Sequence, residues 1–145
     1  MAILNYTTTI ASAKSAQELL AILAKAGAEK ILVDYEPGGS GQAMAITFGV
    51  AVGPEKRLMF FTLPCNWQGV LAAMKKQNLG RRYCHELQAR NVAWRIIKDW
   101  CEAQLAIIEA GQAELAEVFL PYAQTSNGMT LYKAIESGDL KLLNG

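Results

Sequence analysis

The chain is poor in the residues that most site chemistry needs. Its 145 residues include one histidine, His85, and three cysteines, Cys65, Cys84 and Cys101. No Cys-x-x-Cys occurs, so a four-ligand zinc site would have to gather its ligands from elsewhere. An odd cysteine count in a chain long enough to build a core argues against a disulfide framework. No apolar run approaches the roughly 18 residues of a membrane span. The N-terminal Met1-Ala2-Ile3-Leu4-Asn5-Tyr6-Thr7 lacks the basic-then-apolar pattern of a signal peptide. The net charge is only +1, so bulk charge names no partner. The turn Gly38-Gly39-Ser40-Gly41 lacks a Gly-Lys-Ser/Thr ending and no helix follows it, which excludes a phosphate-binding P-loop. These absences set the expectation of a cytoplasmic protein with no cofactor, no metal and no membrane partner.

A 52% hydrophobic, 19% charged composition excludes a disordered chain and is enough for one folded domain over residues 1–145. Apolar periodicity predicts a first helix from Ser15 to Ala26, with Ser15 and Glu18 at capping-box spacing and Gly27 as the stop. Three β-type runs follow: Lys30 to Tyr35, Gln42 to Val52 and Arg57 to Leu63. The tight turns between them predict an antiparallel meander. Helices are expected over Trp67 to Gln77, His85 to Ala110, Ala113 to Phe119 and Thr130 to Glu136, with a loop from Asn78 to Cys84 and Pro121 limiting the fourth. The long helix is apolar on more than one side, as in a helix buried from several directions or lying at a subunit interface. The fold class is therefore α+β: an N-terminal helix, a three-stranded antiparallel meander, then helices packed on the sheet with one long central helix.

The charges are sorted along the chain. Lys75, Lys76, Arg81, Arg82, Arg90, Arg95 and Lys98 face only Glu86 within residues 75–98. Residues 99–139 reverse the balance, with Asp99, Glu102, Glu109, Glu114, Glu117, Glu136 and Asp139 against Lys133. A basic loop leading into a basic helix start presents several donors to phosphates. Trp67 and Tyr83 are near enough in sequence to stack on unpaired bases. Phe60 and Phe61 are adjacent in a strand, so one of them leaves the core face. The competing expectation is that the basic and acidic stretches pair with each other, within one chain or across an oligomer.

Catalytic patterns are sparse. Cys84 and His85 are neighbours, pointing about 100° apart on a helix, a poor nucleophile and base pair. Glu114/Glu117 and Asp99/Glu102 have the spacing to share a helix face, though such pairs are usually solvated. Trp94 and Trp100 read as anchors for two packing surfaces. The expectation is a protein that is not an enzyme.

The stretch from Asn91 to Ala110, NVAWRIIKDWCEAQLAIIEA, together with Glu117-Val118-Phe119-Leu120-Pro121-Tyr122 and Phe61-Thr62-Leu63-Pro64-Cys65-Asn66, resembles a family of small uncharacterised proteins of bacteriophage and prophage genomes. The resemblance covers most of the chain and implies a phage or prophage origin, with genome handling or counter-defence as roles; it transfers no catalytic residue. The leading expectation is a phage-type nucleic-acid-binding protein that prefers single strands, acting in the host cytoplasm through the seven cations above with Trp67, Tyr83 and Phe60 or Phe61. The alternatives are a homo-oligomeric or counter-defence interaction protein and a small-nucleotide binder.

Overall fold

The computed structural model describes residues 1–143. Helix α1 (Ser12–Ala26) leads into strands β1 (Lys30–Tyr35), β2 (Ala43–Val52) and β3 (Arg57–Pro64). Helices α2 (Trp67–Lys76), α3 (Glu86–Glu109), α4 (Leu115–Val118) and α5 (Leu131–Glu136) follow, with a 3-10 turn at Leu120–Tyr122. The sheet is an antiparallel meander in the order β1-β2-β3. The expected α+β architecture is the one observed.

Alternation along the strands sorts the sheet into two faces. Ile46, Phe48, Phe61 and Leu63 point to the helices and are buried with Leu19, Leu23, Ala93 and Trp94. Phe48 stacks on Phe61 at 5.2 Å, Phe119 meets Phe48 edge-on, and Trp100 meets Phe119 edge-on. The two tryptophans of α3 thus anchor different surfaces: Trp94 the core proper, Trp100 the C-terminal segment. The outer face carries a polar row instead. Thr47 Oγ1 donates to Asp34 Oδ2 at 3.0 Å and lies 3.0 Å from Thr62 Oγ1, which accepts from Gln124 Nε2. Because a carboxylate only accepts, the row runs one way, from Gln124 through both threonines to Asp34. Phe60 lies on this face, across Gly49; a Cβ on Gly49 would come within 2.9 Å of the ring.

Two local expectations are corrected. Ser15 does not cap α1. The helix begins at Ser12, and Ala11 offers no side-chain cap. The Ser12 amide is capped from 79 residues away by Asn91 Oδ1 of α3. Ser15 is buried inside the helix, where its hydroxyl accepts from Arg95. Nor does Pro121 end a helix running to Phe119: α4 is one turn, and Pro121 sits within the following 3-10 turn, near whose start its missing amide costs nothing. That turn brings Ala123 beside Phe61 in an isolated bridge, with the Gln124 amide donating to the Phe60 carbonyl. The outer edge of β3 is therefore partly closed. Among the described residues, no helix is long and apolar enough to cross a membrane.

Candidate nucleic-acid interface

The seven cations of the basic stretch divide into two groups. Arg90 is buried, its side chain 7% exposed. Nη1 and Nη2 donate to the two Glu36 oxygens at 2.8 and 3.0 Å, a bidentate pair tying α3 to the end of β1. The same guanidinium lies 4.5 Å from the centre of the Trp67 ring. Arg95 donates to Glu18 of α1 at 2.6 Å and to Ser15. Lys98 contacts Glu102 at 2.6 Å and lies near Asp99 and Glu18. These pairs perturb the groups as Coulomb attraction requires. The Arg95 hydrogen bond holds Glu18 below the usual carboxylate range, and the Arg90 hydrogen bond does the same to Glu36. The Glu102 hydrogen bond raises Lys98.

Lys75, Lys76, Arg81 and Arg82 form the second group. All four are exposed, and among the described residues none has a carboxylate within 4.0 Å. Local sequence places them together. Helix α2 starts at Asn66, whose Oδ1 accepts from the Gly69 amide, and buries Met74, leaving Lys75 and Lys76 on its solvent side. It ends in a left-handed Asn78 (φ 53°), with the Asn78 amide donating to Lys75 and the Leu79 amide to Met74. The chain then turns at Gly80 (φ 91°), whose carbonyl accepts from both Tyr83 and Cys84. Arg81 and Arg82 occupy the crown of that turn. His85 secures it from behind: Nδ1 accepts from the Gln88 amide as the cap of α3, so Nε2 carries the proton donated to the Arg82 carbonyl.

Of the aromatics, Tyr83 belongs to this surface. It is half-buried, edge-on to Tyr6 at 5.2 Å, with Arg82 5.4 Å from its ring. Trp67 is partly covered by Arg90, Phe61 is in the core, and Phe60 is on the outer face of the sheet. Sequence reading missed the N-terminal segment, which supports Tyr83 from below. Gln88 Nε2 donates to the carbonyls of Tyr6 and Thr8, and Asn5 donates to Asp99. It also missed Glu18 and Glu36, which no local pattern connects to α3; Glu86 with Arg90, Asp99 with Arg95 and Glu102 with Lys98 lie at the legible i,i+4 spacing.

The other candidate groups have local partners. Glu114 and Glu117 form a reciprocal capping box on α4, and Asp99 and Glu102 bracket Lys98. Among the described residues, no three His, Cys, Asp or Glu side chains gather as a metal site would require. Burial pushes the Cys65 and Cys101 thiols up to about 12. The charged halves do not pair wholesale: Arg90 and Arg95 reach back to Glu36 and Glu18, and Glu109 meets Lys25. A cleft of about 510 Å³ separates the start of α1 from the β1–β2 turn, and others flank β3 and Tyr122; none of the three is lined by a cation of the basic stretch. Comparison with protein-family models, curated proteins and solved structures finds no match.

Proposed function

We propose that the chain binds nucleic acid, single strands in preference, through Lys75, Lys76, Arg81, Arg82 and Tyr83. The observation that carries this reading is the division of the cations: three are held in ion pairs, while four are exposed and, among the described residues, unpaired on one short stretch. Four cations beside an aromatic ring suit a backbone of phosphates with a base laid on the tyrosine. Their position outside the clefts favours an extended polyanion over a small nucleotide, which binds in a concave site. In a phage-type protein such binding would serve genome handling.

Fluorescence anisotropy with labelled single- and double-stranded oligonucleotides tests it. Four phosphate contacts give a log–log salt slope of about −2.8 on single strands, from roughly 0.7 per contact. Changing both Arg81 and Arg82 to Ala should halve that slope. Unchanged affinity in this double variant, with wild-type melting, would overturn the assignment.

A further inference from the structure

We infer that the outer edge of β1 is a docking surface for a second copy of this chain, joined as an antiparallel β1–β1 pair about a two-fold axis at Leu32. The two edges of the sheet are treated differently. The β3 edge is met by Ala123 and Gln124. The β1 edge is open: among the described residues, its backbone makes no hydrogen bond outside the pairing with β2. Leu32, at the centre of the strand, is 59% exposed. An open edge with an exposed leucine is a template for another strand unless its charges forbid it.

Here the charges select one partner. The strand reads Lys30-Ile31-Leu32-Val33-Asp34. Antiparallel pairing centred on Leu32 sets Leu32 against Leu32 and Lys30 against Asp34, twice by symmetry. Ile31 then opposes Val33 on the other face. Parallel in-register pairing would instead set lysine on lysine and aspartate on aspartate, so the same residues reject it. Within one chain neither charge has an opposite partner: no carboxylate lies within 4.0 Å of Lys30 and no cation within 4.0 Å of Asp34, among the described residues. Asp34 is also the terminal acceptor of the row across the outer face, so its carboxylate is held in place by Thr47. The pairing would give a continuous six-stranded sheet, and it requires nothing of the basic surface.

Analytical ultracentrifugation from micromolar to millimolar concentration tests it. The wild type should sediment at twice the 15.8 kDa chain mass at the upper end. Lys30→Asp and Asp34→Lys should each sediment as monomers. Mixed in equal amounts they should form a heterodimer, because aspartates at both positions then face lysines at both. In a Cys84→Ser background, Leu32→Cys should crosslink to itself on oxidation. A wild type that stays monomeric throughout overturns the proposal. So does a dimer that survives Lys30→Asp, since its interface would lie elsewhere. If Asp34→Lys fails to fold, Lys30→Asp and the Leu32→Cys crosslink still decide.

Discussion

Arg90 and Arg82 are the same residue type eight positions apart, and their surroundings give them opposite work. Arg90 is buried between Glu36 and Trp67, so removing it strands a carboxylate and uncovers an indole. Arg90→Ala should lower the melting temperature clearly, whereas Arg81→Ala and Arg82→Ala should leave it within experimental error; thermal melts of the three variants check this. Gly49 makes a similar point for the outer face. Valine there overlaps the Phe60 ring and should cost about 1–3 kcal/mol by denaturant unfolding. Trp94→Ala, in the centre of the core, should cost about 3–5 kcal/mol. Which cation is buried was not legible in the sequence. Seven similar charges look alike until α1 and the end of β1 bring Glu18 and Glu36 against three of them.

Elements were more legible than residues because their signals are local. Apolar periodicity, left-handed stops at Gly27 and Gly111, and tight turns between short strands delimit most of the helices and all three strands. The misplaced start of α1 has a single cause: its cap comes from Asn91, which no window around Ser12 contains. The capping residue of α3 does two tasks, closing the helix start and holding the arginine turn. His85→Ala should therefore cost about 1 kcal/mol, as loss of a helix cap does. It should also weaken oligonucleotide binding while leaving the salt slope unchanged, since no phosphate contact is removed.

For the whole molecule, the ion pairs stitch α1, β1 and α3 together, and their weak point is acid. Glu18 and Glu36 are held below the usual carboxylate range in the folded chain. Depressed carboxylates bind fewer protons folded than unfolded, so their contribution is complete above roughly pH 4.3 and is lost as pH falls through the folded values. Unfolding midpoints between pH 6 and pH 3 should drop below about pH 4.3, and less steeply in Glu18→Gln. Charge separation along the chain predicts two halves that neutralise each other; folding does this in part, setting Asp99 and Glu102 against Lys98 and Arg95, and adds Glu18 and Glu36 from the N-terminal half, a long-range choice that composition does not reveal. The three thiols also differ in a way that gives experimental access. Cys65 and Cys101 are buried, while Cys84 is half-buried at the foot of the arginine turn. A maleimide dye should therefore react with the native protein at Cys84 first, two residues from Arg82, and place a reporter of ligand arrival there without any engineered cysteine.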